Sequence, residues 1–311
     1  MPDAQSNAAQ IGFAVETAYG DTIAAAPLKR LRLVEDSIAH QKNAQWSNEI
    51  NANGDRTSVI DISKSSAGQW TSELSFTDFV TWFPAAMRAG AGVTTSGVTR
   101  YVNANTLKSF YFEKQFTDIN ALVGAYGLVI GGMTLTLTAN EIARVSFDMM
   151  GKFLKNETAT RGTGAITAAS TDQVIRAGAD VANLKLAGSA FPCSVQSLTL
   201  TINNNLRPKT ELTADSPTLY NVGSFDVTGS LRCYFPSLAL FDACIAHTEQ
   251  SLEFEMENAA GRFGFELPAI QLANVSPNIG AINQDVILEI PFLATRSAAK
   301  AFTIGLDVDP A

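Results

Sequence analysis

Two runs of strict alternation constrain this chain most: MTLTLTAN (133–140) and VQSLTLTIN (195–203). In the first, Leu135 and Leu137 alternate with Thr134, Thr136 and Thr138. In the second, Leu198, Leu200 and Ile202 alternate with Thr199, Thr201 and Asn203. Successive side chains of a strand point to opposite faces, so each run specifies a strand with one buried face and one wet, hydroxyl-rich face.

The runs sit inside a wider internal similarity. SFDVTGSLR (224–232) mirrors SFDMMGKFL (146–154), with Ser, Phe, Asp and Gly in register. A helix over 236–247 mirrors one over 78–89: Leu240, Phe241, Ala243 and Ile245 fall where Trp82, Phe83, Ala85 and Met87 stand. Residues 155–190, rich in Lys, Thr, Gly, Ala and Asp, carry little periodicity and read as a connection. The expected organisation is therefore an N-terminal module over 1–155, a linker over 156–190 and a C-terminal module over 191–311 with an extended tail. Two similar modules present similar edges, and open strand edges invite pairing with the next module, so such a chain closes a ring with half the subunits of a single-module protein.

Short apolar runs punctuated by turn residues give the rest an all-β profile. LRLVEDSI (31–38) and GQWTSELSF (68–76) read as strands, and the polar stretch 40–66 between them as a protruding hairpin or loop with an Asn53-Gly54 tip. A segment of that length and polarity is expected to serve interaction. After 68–76 the spacing of Phe79, Trp82, Phe83, Ala86 and Met87 predicts a helix with Thr81 as N-cap and Pro84 in its first turn. SFYFEKQF reads as a strand followed by a short helical turn capped by Thr117 or Asp118, and Ser237 as the N-cap of the second helix. LEFEMENAAGRFGFELPAIQL (252–272) is a hairpin and DVILEIPFLAT (285–295) a last strong strand. The expected core gathers Trp82, Phe83, Phe147, Leu198, Phe225 and Phe241, with Ile245 beside them.

Catalytic chemistry is hard to find. The two histidines, His40 and His247, lie in different halves, and no HExxH, GxSxG, P-loop or dinucleotide fingerprint occurs. Glu253, Glu255 and Glu257 alternate along one strand face, a pattern open to calcium but more simply a solvated surface. Cys193, Cys233 and Cys244 have no CxxC spacing and read as small apolar residues in a reducing compartment. MPDAQSNAAQ has neither a basic start nor an apolar region, so no export signal is expected. With a net charge of −8, the chain is unsuited to gripping nucleic acid, and any contact with DNA is expected to be non-adhesive.

The order of these segments resembles a known family. EKQFTDINALVGAYGLVIGGMTLTLTANEIARVSFDMMGKF (113–153) is similar to the hallmark segment of phage tail tube proteins, in which an EK.F.D strand leads to a helix, then a G..(N)LSL strand, a turn with Ile and an SF.F.GK strand. IGFAVETAYGDT (11–22) with LKRLRLVEDSI (28–38) resembles the family's opening, and SAGQWTSELSF (66–76) its element before the helix. VQSLTLTINNNLRP, SFDVTGSL and FELPAIQL resemble its C-terminal portion; Gly131-Gly132-Met133 departs from it, the family more often placing a polar residue there.

The resemblance implies a mainly β fold, a β-sandwich or half-barrel per module with a short helix packed on its side. It implies a structural virion protein, not an enzyme, without cofactor or metal, assembled in the bacterial host cytoplasm and residing in the virion tail. Its partners would be copies of itself, in stacked trimeric rings of six modules or, alternatively, hexameric rings. Tape-measure, tail-terminator and distal-tail proteins would join them, with double-stranded DNA passing through the lumen without specific binding. On that reading Thr134, Thr136, Thr138, Asp148, Thr199, Thr201, Asn203 and Asp226 are candidates to face the channel. Asn43, Trp46, Asn53, Gly54, Asp55 and Arg56 are candidates for contact between rings. A carbohydrate-binding β-sandwich adhesin module and the tube subunit of a contractile injection system are the competing readings.

Overall fold

The computed structural model describes residues 3–235, 239–273, 276–278, 282 and 285–311. Its main feature is a continuous antiparallel sheet built from eight strands: β1 (Ala39–Trp46), β2 (Val59–Glu73), β3 (Ala121–Thr138), β4 (Arg144–Gly151), β5 (Val195–Asn203), β6 (Asp226–Tyr234), β7 (Gly261–Leu272) and β8 (Ile287–Ala294). Across the sheet the order is β1–β2–β4–β3–β5–β6–β8–β7. The two alternating runs are direct neighbours: Thr134 pairs with Thr201, Leu135 with Leu200 and Thr136 with Thr199.

A second layer is reached by the two longest pathways through the sheet. β3 carries bulges between Ala125 and Leu128 and between Ile130 and Gly132. Bulges bend a strand and re-aim it. β3 pairs with Ser109–Phe116 as far as Val129 and with Phe153–Glu157 as far as Tyr126, then with β4 from Val129 and with β5 from Gly132. This explains the unbroken apolar stretch ALVGAYGLVI. Residues 124–130 are buried on both faces where the strand crosses between layers, and alternation returns only at 133–138. β7 behaves likewise, pairing first with Gln250–Asn258 and Gly305–Pro310 and then with β8. Ala9–Ala18 extends the first outer sheet beyond Ser109–Phe116. Val98–Val102, from the N-terminal half, pairs with Gly305–Pro310 in the second. The segment 156–190 contributes a strand of its own, Val181–Leu186, beside Gln250–Asn258.

Two sequence expectations change here. Residues 117–120 form a turn, with Asn120 at φ 52°, and no helical turn follows Ser109–Phe116. A four-residue reversal with a left-handed Asn is enough to join two strands, so the chain has no room for a helix. The helix over 78–89 divides into α1 (Phe76–Phe79) and α2 (Trp82–Ala86), and Thr81 makes no side-chain cap. The second helix is α3 (Ala239–Ile245); its expected cap Ser237 lies outside the described residues.

α1 and α2 lie between the layers and supply the centre of one apolar cluster that spans both halves of the chain. Trp82 meets Phe110 at 4.4 Å between ring centroids, Trp70 at 4.8 Å and Phe13 at 4.9 Å. Trp70 stacks on Phe147 at 4.7 Å. Phe83 reaches the other half, 5.0 Å from Phe263 and 5.3 Å from Phe265. Trp82, Phe83, Phe147 and Leu198 are all buried, as expected. Phe225 is half-buried against the cluster, and Phe241 is half-buried. Ile245 is 69% exposed, against expectation. α3 has only seven residues, and Leu240 takes the inward position that the apolar spacing had shared among several side chains.

Candidate functional site

The wet face of the eight-stranded sheet is the surface that the alternating runs define. Register carries the hydroxyl pattern sideways through strands that the alternation alone does not connect. Thr71, Ser146, Thr134, Thr201 and Thr228 follow one another across β2, β4, β3, β5 and β6. One step along, Glu73, Arg144, Thr136, Thr199 and Ser230 form a second row. Opposite them Leu135, Leu137, Leu198, Leu200, Val145 and Phe147 are buried. Ser146, Thr228 and Ser230 were not singled out from the sequence, though they sit two residues from Asp148 and Asp226 or two further on, and period-two counting finds them.

All eight candidate channel residues lie on this one face. Thr134, Thr136, Thr138, Thr199 and Thr201 are partly exposed, and Asp148, Asn203 and Asp226 are exposed. The aspartates share a row, Gln69–Asp148–Gly132–Asn203–Asp226, separated by three strand spacings, or about 14 Å. Asp148 accepts a hydrogen bond from Gln69 Nε2 at 2.9 Å, and Asp226 one from Asn205 Nδ2 at 2.6 Å. Glu35, Glu73 and Glu289 add carboxylates to the same face, against the guanidiniums of Arg144 and Arg232. Among these charged groups carboxylates outnumber cations, on a surface rich in hydroxyls that also carries Leu293, opposite Thr228.

Where β3 meets β5, the segment 204–225 folds over the end of the neighbouring strands. Leu206, Tyr220 and Val222 pack with Val129, Met150, Tyr19 and Leu107. Tyr220 donates to Gly151 O at 3.1 Å, and Asn204 Nδ2 donates to Ala86 O at 3.0 Å and Ile130 O at 2.9 Å. Arg88, at φ 53° just past α2, donates to Gly223 O at 3.1 Å and lies 4.9 Å over the Phe225 ring. Burial lowers the Arg88 pKa, and the Asp226 carboxylate acts against that shift.

Residues 6–294 match the family model described as phage tail tube protein. The chain belongs to that family. No curated protein matches it. As a phage tail tube protein it is a structural component of the virion tail.

The other candidates lie away from the central part of this tube protein's sheet. Asn43 and Trp46 lie on β1, which is exposed throughout, and Trp46 is 58% exposed with the Arg56 guanidinium 5.9 Å from its ring centre. Asn53, Gly54 and Asp55 form the hairpin tip, Gly54 at φ 76°. His40 is exposed on β1, and His247, at φ 51°, is exposed past α3. In the glutamate stripe, Glu255 pairs with Arg262 at 3.0 Å and also accepts from Asn183. Among the described residues no group of three His, Cys, Asp or Glu could hold a metal ion. Nor is any helix among them long and apolar enough to cross a membrane.

Proposed function

We propose that this protein polymerises into stacked rings whose eight-stranded sheets join edge to edge around a channel for the phage genome, with the hydroxyl face turned to the lumen. The observation that carries the reading is the strand order. β1–β2–β4–β3 and β5–β6–β8–β7 are two four-stranded runs in the same order. In each, two strands precede a helix, a hairpin follows it, and the last strand returns beside the strand that leads into the helix. Gly68 and Gly229 occupy the same place in the two runs. At both, a Cβ would collide with backbone, Ile38 Cα and Ser37 O at 2.5 Å for Gly68 and Thr199 O at 2.4 Å for Gly229.

On this reading β1 corresponds to β5, β2 to β6, β3 to β7 and β4 to β8. That shifts the repeat from the one suggested by TLTLTAN and SLTLTIN, which are partners across the internal junction instead of copies. Head-to-tail order lets one operation relate every module to the next, and a rotation that closes makes a ring. Three copies then line up some 24 strands; at about 4.8 Å spacing and a tilt near 40° they enclose a channel about 48 Å across between backbones.

The lumen must pass a stiff polyanion without holding it. Phosphate contacts dominate affinity for DNA, so a hydroxyl face with an excess of carboxylates lets the duplex slide where a basic face would brake it. The exposed hairpin tip at Asn53–Arg56 supplies contacts between stacked rings. Trp46 and Tyr234 are among the few exposed aromatics of the described residues and do not form a shared platform, which favours the tube over a carbohydrate-binding module. Electron microscopy with mass measurement of the purified protein tests the proposal: hollow tubes with three chains per disc are expected. Six chains per disc would remove the trimer, and a chain that stays monomeric with tail-tip extract as nucleus would remove the tube.

A further inference from the structure

The chain contains its own template for the contact between copies. Within one molecule, β5 lies on β3, and the segment after β5 folds across the ends of β3 and β4. At the far ends of the sheet the corresponding pieces are present but unpartnered among the described residues. β1, with the residues leading into it, pairs on one side only, with β2: Glu35 opposite Thr71, Asp36 opposite Trp70 and Ala39 opposite Ala67. At the other end, Ser276–Asn278 pairs on one side only, with β8.

Register fixes how the two ends correspond to the internal junction. Gly68 lies opposite the 37–38 backbone, as Gly229 lies opposite Leu200. Bulges at equivalent places in β3 and β7 align Ala125 with Leu267 and Leu128 with Ile270. Thr134 is paired with Ser146 of β4, and Ser276 with Glu289 of β8. On this alignment Thr201 corresponds to Ala39, Met150 to Leu293 and Tyr220 to Val59.

We propose that the hairpin of β1 and β2 docks on the β7–β8 end of a second copy of this chain, in the register of the internal β3–β5 junction. Ser37–Ala39 of one copy pairs with Ser276–Asn278 of the next. The proposal rests on the ring reading above and adds to it the faces and the register. Its second support is where apolar surface is left uncovered. Internally Met150 is covered by the segment carrying Leu206 and Tyr220. Its counterpart Leu293 is 52% exposed, and Ile245, at the end of α3, is 69% exposed. The hairpin offers Trp46 at 58%, Val59 and Ile60 each at 54%, and Ile62 at 46%. Apolar side chains exposed this way at both complementary ends mark an interaction surface, and docking buries them together.

The test uses the full chain. A Val59→Cys plus Leu293→Cys variant, treated with a short bifunctional maleimide after assembly, should give covalent dimers and trimers on a denaturing gel and stop at three. Either single variant, and the natural chain with its own cysteines, should remain monomeric there. Separately, Ile60→Lys and Leu293→Lys should keep the circular dichroism of the monomer, since both positions are exposed, yet raise the concentration needed for assembly at least tenfold. Ile119→Lys, in the 117–120 turn, should assemble as the natural chain does. Tubes that form normally from both lysine variants, with no cross-link in the cysteine pair, would overturn this junction while leaving the tube reading intact. A natural chain that never associates would overturn both.

Discussion

Replacing Trp82 by alanine should be among the most damaging single changes, and the same change at Phe241 should not. Both were expected in the core from the sequence, but the structure separates them. Trp82 is 1% exposed, and its ring lies 4.4–5.8 Å from those of Phe13, Trp70, Phe110, Phe112 and Phe147. Truncating a buried aromatic costs about 3–5 kcal/mol, and loss of several ring pairs, each worth about 0.5–1.5 kcal/mol, places Trp82→Ala near the top of that range. Phe241 is half-buried, so only part of its transfer energy is lost, on the order of 1–2 kcal/mol. A third variant separates packing from polarity. Trp82 Nε1 is buried without a hydrogen-bond partner, so Trp82→Phe removes an unpaired donor as well as ring area and should cost about 1 kcal/mol or less. Urea denaturation followed by circular dichroism, below the assembly concentration so that association does not add stability, measures all three. Phe241→Ala matching Trp82→Ala, or Trp82→Phe costing as much as Trp82→Ala, would refute the reasoning.

Asp148→Lys combined with Asp226→Lys should assemble normally, because both side chains are exposed on the wet face, but slow DNA ejection in a single-particle release assay; unchanged release would remove these residues from the lumen. Gly68→Ala and Gly229→Ala should each destabilise the fold by about 2 kcal/mol or more through backbone collision, measurable as a lowered melting midpoint. Gly97→Ala, with open space at its Cβ, is strained only by its φ of 88° and should cost about 1 kcal/mol. Burial raises the carboxyl pKa of Glu16, although Gly20 N–H and Gly127 N–H donate to it. The folded state therefore holds this proton more tightly than the unfolded state, and stability from this site falls as pH rises above the usual carboxylate range. The melting midpoint of Glu16→Gln relative to the natural chain should climb over that interval; a flat difference would contradict the assignment.

What was legible in the sequence was whatever depends on a period of two. The faces of β3 and β5, and the burial of Leu135, Phe147 and Leu198, follow from alternation alone. Partner choice does not. TLTLTAN and SLTLTIN are half-buried strands of one sheet, and only their register shows that they are neighbours. The stretch ALVGAYGLVI hid its strand character because residues 124–130 are buried on both faces, which erases alternation and leaves length as the only cue. Ile245 was misplaced because apolar spacing on a short helix says which residues share a face but not how far the sheet beneath extends. The proposed junction with a second copy would give that exposed side chain a partner.

The same division between faces bears on how a tube of this kind can change. The side chains that hold the sheet together point inward to the Trp70–Trp82–Phe147 cluster, and those on the other face touch mainly each other and solvent. On the proposed reading, substitutions among Thr134, Thr136, Thr199 and Thr201 that retain strand propensity should alter the charge and hydration of the channel at little cost in stability, since surface changes are usually worth within about 0.5 kcal/mol. Changes on the apolar face act in the opposite way, costing stability without touching the lumen. The residues at the proposed junction form a third set: Leu293 lies on the wet face opposite Thr228, and its replacement should affect whether copies join without disturbing the fold of the monomer. On the proposed reading, channel character, folding and assembly rest largely on different side chains of the same strands, and a polar substitution on each of the three sets should reduce mainly a different one of these properties.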